Sequence, residues 1–245
     1  MQKKERLDKL LVDRGLARSR ASAQALIMEG RILVNDQRVY KAGHAVPVEA
    51  KIELKGEDIP YVSRGGLKLE GALKSFGITV KGLTVLDVGA STGGFTDCLL
   101  QHGARKVYAV DVGYGQLAWK LRQDTRVVSI ERTNIRYLDK SRVPDPIQMA
   151  VVDTSFISLD KVLPRIVEII EVPGVILALI KPQFEVGRGE VGKGGVVRDP
   201  KKHASVIEGI TQVALKLGLT VLGIKESPLM GPKGNKEYFI HLARE

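Results

Sequence analysis

Apolar positions along the chain change their period, and each change marks a different kind of element. Leu7, Leu10 and Leu11 fall on one face of a first helix, and Gly15 ends it. Ser19 then stands as the N-cap of a second helix whose apolar residues Ala23, Leu26 and Ile27 run out at Gly30. From Arg31 to Leu54 the stretch "RILVNDQRVYKAGHAVPVEAKIEL" alternates short Val/Ile/Leu runs with Asn-Asp, Ala-Gly and Pro, the pattern of small strands joined by tight turns. The polar "KGEDIP" at 55–60 ends in proline and separates this part from the rest. The expected division is a small α+β domain over residues 1–58 and a larger domain over 59–245.

Beyond that boundary, buried runs at 84–88, 106–111, 126–130, 148–152, 175–180 and 219–224 alternate with helical stripes. This is the grammar of an α/β domain, a parallel sheet covered on both faces. The end differs: "LTVLGIKES" and "KEYFIHLA" are separated only by the turn-rich "PLMGPKGN", so they are expected to form an antiparallel pair at or near the sheet edge.

Composition narrows the possibilities. A formal net charge of +10 suits a polyanionic partner such as nucleic acid. One cysteine, Cys98, excludes an internal disulfide framework and a Cys-rich zinc site, and its place in a helical stripe reads as core. No metal is expected. The charged start "MQKKERLDKLLVDRG" lacks the apolar stretch of an export signal, and the longest apolar run, Val175–Ile180, is far short of the roughly 20 residues that span a bilayer. The expectation is a cytoplasmic protein, a monomer.

Candidate chemistry begins at "LDVGASTGGFTD", residues 86–97, which opens a helix directly after a buried strand. Glycines there let backbone N–H groups and a helix N-terminus approach a ligand closely. The order Gly89-Ala90-Ser91-Thr92-Gly93-Gly94 is not the G-x-G-x-x-G of dinucleotide sites, and Asp87 before it would repel a pyrophosphate but attract an ammonium. That favours S-adenosylmethionine, with Asp87, Gly89, Ser91, Gly93 and Gly94 around its methionine end. Asp111 ends the next strand, 22 positions after Gly89, where an acid reaches a ribose hydroxyl; an ordinary strand-end turn is an equal reading. Asn134 after the third strand has two readings, an adenine contact or a helix cap.

Asp153 in "VVDTSF" and Lys181 in "IKPQFE" emerge at the carboxyl ends of neighbouring strands, where open α/β sheets bind ligands. A lysine after six apolar residues is partly desolvated, which favours the neutral amine, while a neighbouring carboxylate favours the charged form and fixes its position. Lys68 in "GGLKL" and Glu237 in "NKEYF" complete the set. The loop "EVGRGEVGKGGVV", 185–197, holds five glycines and reads as a lid or as a plain connector.

Two resemblances extend these readings. Residues 6–43, "RLDKLLVDRGLARSRASAQALIMEGRILVNDQRVYKAG", resemble an S4 domain, a small RNA-binding module. That resemblance implies that Lys4, Arg6, Arg18, Arg20 and Lys41 lie near phosphates; separately, Arg64 of "RGGLK" after the linker reads as an RNA contact or as part of a simple turn. Residues 61–245 resemble the FtsJ/RrmJ-type methyltransferases, whose Rossmann-like fold binds S-adenosylmethionine and whose Lys-Asp-Lys-Glu tetrad falls here on Lys68, Asp153, Lys181 and Glu237. Together the two halves resemble the TlyA (haemolysin A) family of ribosomal RNA 2′-O-methyltransferases, which implies transfer to a cytidine ribose of ribosomal RNA. A non-catalytic RNA-binding protein on the same fold is the competing reading. A membrane-lytic haemolysin is disfavoured, because neither a spanning segment nor a long cationic amphipathic stretch rich in Trp or Phe is present.

Overall fold

The computed structural model describes residues 3–17, 19–28, 30–54, 59–187, 189–192 and 194–245. The chain divides into two compact units, Met1–Pro60 and Tyr61–Glu245.

In the first unit, strand β1 (Lys4–Arg6) leads into helix α1 (Leu7–Asp13), then α2 (Arg20–Met28) and strands β2 (Ile32–Val34), β3 (Gln37–Arg38), β4 (Ala45–Pro47) and β5 (Ile52–Leu54). The helical faces read from the sequence are the ones that pack: Leu7, Leu10, Leu11, Ala23 and Ile27 share a small core with Ile32, Val34 and Val46. Ser22 N donates to Ser19 Oγ at 3.2 Å, the bond expected of a cap. Strand β1 was not expected; its three charged residues pair antiparallel with β4, Lys4 opposite Pro47 and Arg6 opposite Ala45. An exposed edge strand needs backbone bonds more than apolar side chains, so no apolar alternation announces it.

The second unit is a sheet of seven strands among the described residues. Helix α3 (Gly65–Phe76) precedes β6 (Thr84–Val88), α4 (Gly94–Gln101), β7 (Lys106–Val110), α5 (Trp119–Arg122), β8 (Val127–Ile130), β9 (Ile147–Val152), α6 (Leu159–Ile169), β10 (Ile170–Ile180), α7 (Pro182–Glu185), α8 (Pro200–Lys216), β11 (Thr220–Glu226) and β12 (Tyr238–Arg244). The order is β11-β12-β10-β9-β6-β7-β8, with β12 antiparallel to both neighbours and the remaining pairs parallel. The expected closing hairpin is therefore present, and its second strand lies inside the sheet with β11 at the edge. Residues along β6 alternate between two cores: Leu86 and Val88 face α6 and α8, while Val85 packs with α3 and α4. That alternation turns Asp87 toward α4.

Candidate active site

Six strands of the sheet run in one direction and end along one edge, and β12 begins at that same edge because Ile180 and Glu226 both pair with Tyr238. Topology alone thus gathers Gly89, Asp111, Asp153, Lys181 and Glu237, residues up to 148 positions apart in the chain (237 minus 89).

The glycine turn is built more for protein packing than its sequence suggests. Gly89 has φ +87°, and a Cβ there would stand 2.6 Å from the backbone oxygen of Asp153. Gly93, at φ +96°, is the αL residue before α4, and its missing side chain leaves room for Leu117 and Leu121. A Cβ on Gly94 would fall 2.3 Å from Ser63 Oγ and 3.0 Å from Gly66 N, so this glycine lets α4 approach the start of α3. Ser91 also adopts a positive φ, +48°, and its N–H donates to Asp111 Oδ2 at 2.8 Å. Gly113 N donates to the other oxygen of Asp111 at 2.6 Å. Asp111 therefore performs the strand-end turn role, while each of its oxygens keeps a lone pair for a further donor.

Asp87 is fully buried and accepts from Thr96 Oγ1 at 2.6 Å. Its other oxygen, Oδ1, is buried with no hydrogen-bond partner among the described residues. Burial pushes the Asp87 carboxyl up to about 7, and the nearby Asp153 and Asp111 carboxylates push the same way. An orphaned acceptor amid an excess of carboxylates fits a cationic ligand such as one bearing an ammonium and a sulfonium. A small recess at the glycine turn and the end of β7 is lined by Ala90, Ser91, Asp111, Gln116, Leu117 and Glu131, of which Gln116 and Glu131 carried no signal in the sequence. Asn134 takes the capping role: its Oδ1 accepts from Arg136 N at 3.1 Å and opens a 3₁₀ turn.

The four tetrad positions assemble as two ion pairs. Lys68 Nζ lies 2.6 Å from Glu237 Oε2, with only 11% of the lysine side chain and none of the glutamate exposed. Lys181 Nζ contacts Asp153 Oδ1 and also donates to Ser155 Oγ at 3.1 Å. Burial pushes the Asp153 carboxyl up, but Lys181 and Lys68 outweigh it and hold the group below its ordinary value. Glu237 accepts a second bond from Gln183 Nε2 at 3.2 Å. The close approach of α3 to α4 brings Lys68 to the sheet edge, and Arg64 precedes α3 one turn earlier without a side-chain capping bond. Phe156 has φ +63°, is 90% exposed and packs on Phe184, ring centroids 4.9 Å apart. Ser155, Phe156 and Gln183 escaped the sequence reading, although each lies within three residues of a tetrad member.

In the first unit Arg6 and Arg20 converge on the buried Asp8, at 2.8 and 3.3 Å. Lys4 and Lys41 are exposed on β1 and on the loop before β4. Arg18 lies outside the described residues. No group of three or more His, Cys, Asp or Glu able to hold a metal occurs among the described residues, and no helix there is long and apolar enough to cross a membrane.

A seven-stranded sheet with one antiparallel strand inserted next to its edge, carrying a lysine-rich tetrad beside a glycine turn, defines a Rossmann-like methyltransferase class. The FtsJ-like methyltransferase family matches residues 61–244 and the S4 domain matches residues 5–52. The chain belongs to the FtsJ-like methyltransferase family, with an S4 domain ahead of it. It is similar to the 16S/23S rRNA (cytidine-2′-O)-methyltransferase TlyA of Mycobacterium tuberculosis, 48% identical over 243 residues that cover 99% of this chain and 91% of that one. Hemolysin A of Brachyspira hyodysenteriae is 44% identical over 237 residues, 96% of this chain and 98% of the relative. A solved structure from Streptococcus thermophilus described as a hemolysin covers all of this chain and 90% of its own, at 44% identity and TM-score 0.76.

Proposed function

We propose that this chain transfers a methyl group from S-adenosylmethionine to a ribose 2′-oxygen of ribosomal RNA, at a cytidine, and that its first unit docks the RNA in the cytoplasm. The observation that carries the reading is the pair of buried ion pairs, Lys68–Glu237 and Lys181–Asp153, at the sheet edge beside the glycine turn. Relatives named for cytidine 2′-O-methylation supply the substrate class.

S-adenosylmethionine supplies a methyl group already activated on a sulfonium. The orphaned Asp87 Oδ1 would accept from its ammonium, with Gly89, Ser91, Gly93 and Gly94 shaping the turn around it. Asp111 keeps acceptor capacity for a ribose hydroxyl, and Asn134 lies in the loop beyond it. The protein's remaining task is to orient the 2′-hydroxyl and to stabilise its oxygen as its proton passes to solvent and the O–CH3 bond replaces the S–CH3 bond. Lys181, held between Asp153 and Ser155, is placed to do this at Nζ, and the lysine's ion pair suits it to stabilising the alkoxide. Lys68, fixed by Glu237, contributes the second positive charge, and Gln183 keeps Glu237 in place. In the first unit, shape and phosphate contacts through Lys4, Arg6, Arg18, Arg20 and Lys41 would dock structured RNA, assisted by Arg64 of the second unit.

Incubation with unmethylated ribosomal subunits and radiolabelled S-adenosylmethionine, followed by mapping of the label by RNA fragment and sugar position, tests the whole reading. Label on one ribose 2′-oxygen is expected. RNA binding with no label on either subunit would instead make the chain an RNA-binding protein on a methyltransferase fold.

A further inference from the structure

We propose that Asp8 is a positioning residue for RNA, clamping the Arg6 and Arg20 guanidiniums into one fixed pair that holds a backbone phosphate. The proposal rests on the reading that the first unit docks RNA. Asp8 is the second residue of α1 and is completely buried, whereas the side chains of Arg6 and Arg20 are 50% and 57% exposed. Acids in the first turn of an amphipathic helix ordinarily face water, and a buried carboxylate is costly unless charged donors surround it.

Here they do. Arg6 donates in a fork, Nε to Oδ1 at 3.0 Å and a terminal nitrogen to Oδ2 at 2.8 Å. Arg20 reaches the same Oδ2 at 3.3 Å and Gln24 Nε2 reaches it at 3.0 Å. The arrangement pushes the Asp8 carboxyl well below its ordinary value, with the Arg6 fork the largest cause. Two guanidiniums brought together without the acid would repel each other; with it, the trio carries a single net positive charge and both forks can sit side by side. Arg20 uses one of its donors on Asp8, and among the described residues the rest remain for an outside acceptor.

The surroundings point the same way. Arg6 lies across Gly43, where an added Cβ would stand 3.2 Å from its guanidinium. Backbone bonds from Leu7 N to His44 O at 2.9 Å and from Asp8 N to Ala42 O at 3.2 Å draw the 41–44 loop, and so Lys41, to the same edge. The neighbouring Glu5 is already engaged with Lys9 at 2.6 Å. Rigid, partly neutralised cations at fixed spacing recognise a phosphate by geometry and charge together.

The test turns on sign. Asp8→Asn makes this face more positive by one charge, so charge alone predicts tighter RNA binding. Positioning predicts the opposite: affinity for unmodified ribosomal subunits about tenfold weaker, the scale of one lost charge-assisted hydrogen bond, and a salt dependence shallower by about one phosphate contact. Arg6→Lys keeps the charge and leaves Asp8 in place but loses the fork, and it is expected to weaken binding in the same way even if Asp8→Asn fails to fold. Arg6→Ala and Arg20→Ala run alongside. Weaker binding by these two with unchanged or tighter binding by Asp8→Asn and Arg6→Lys would overturn the positioning role alone. No effect from either alanine variant would overturn the docking role of the first unit and the proposal with it.

Discussion

At the scale of single residues, the site is a set of buried charges whose protonation links binding to pH. Asp87 has a carboxyl raised to about 7 in the folded chain, against an ordinary value of 3.8. The folded state therefore binds a proton there more tightly than the unfolded state does. Its destabilising effect is absent below about pH 4, grows as pH rises between those two values, and is complete above about pH 7. Asp87→Asn is accordingly expected to raise the melting temperature at pH 8 and to change it little at pH 4. A ligand ammonium at Oδ1 favours the carboxylate, so S-adenosylmethionine affinity is expected to rise with pH up to about 7, and calorimetry in buffers of different ionisation heat should detect a proton released on binding at pH 6 but not at pH 8. Lys181→Ala is expected to lower the rate of transfer by at least about a hundredfold while subunit affinity stays within about twofold. Joint loss of both would assign Lys181 a structural role instead. What could be read in the linear chain at this scale was any acid or lysine that directly follows a buried run. What could not be read was whom each one meets: Ser155 and Gln183 look like ordinary loop polars until the fold brings them to Lys181 and Glu237. Asp8 was equally hidden, because an acid in a first helical turn carries no mark of burial.

At the scale of elements, the glycine turn and the far end of the glycine-rich loop are both held by the backbone around them. Replacing Gly89 by alanine forces a side chain into positive φ and to within 2.6 Å of the Asp153 backbone oxygen. A loss of about 2 kcal/mol or more is expected in urea melts, from the left-handed strain plus overpacking. The loop 185–197 ends in a clamp: Val197 N donates to Asn235 Oδ1 at 3.1 Å, Asn235 Nδ2 donates to Gly195 O at 3.0 Å, and His203 Nε2 meets Val197 O at 2.9 Å. Val196 and Val197 are buried there. Because Asn235 stands two residues before Glu237, whatever loosens the loop's end also loosens the approach to the tetrad. Asn235→Ala is expected to speed hydrogen exchange of the Val197 amide and to lower transfer; unaltered exchange would mean that the buried valines and His203 hold the loop without it. Strands whose residues alternate between two cores, such as β6, announced themselves in the pattern, as did the helices with apolar stripes. Strand β1 did not, since its ladder to β4 is made by backbone and its side chains are all charged.

At the scale of the whole molecule, each unit has its own apolar core: among the described residues, a cluster of ten buried hydrophobic residues in the first and two larger clusters flanking the sheet in the second. A chain beginning at Ile59 keeps both larger clusters, including Tyr61 at the start of α3's packing surface, so it is expected to fold and to bind S-adenosylmethionine as the full chain does. Charge argues about RNA separately. Residues 1–60 hold twelve Lys/Arg and nine Asp/Glu, a net of +3 out of the total of +10, so most of the excess stays with the shortened chain. If phosphate attraction were the whole of docking, truncation would cost little. If docking depends on a fixed arrangement of cations on the first unit, truncation should weaken binding to ribosomal subunits far beyond its share of the charge, while leaving melting of the remainder and S-adenosylmethionine affinity unchanged. Filter binding across a salt series separates the two: a large loss at low salt with a slope shallower by more phosphate contacts than a net of +3 accounts for would mean that fixed cations of the first unit meet phosphates, and a small loss with a nearly unchanged slope would mean that it contributes diffuse charge alone.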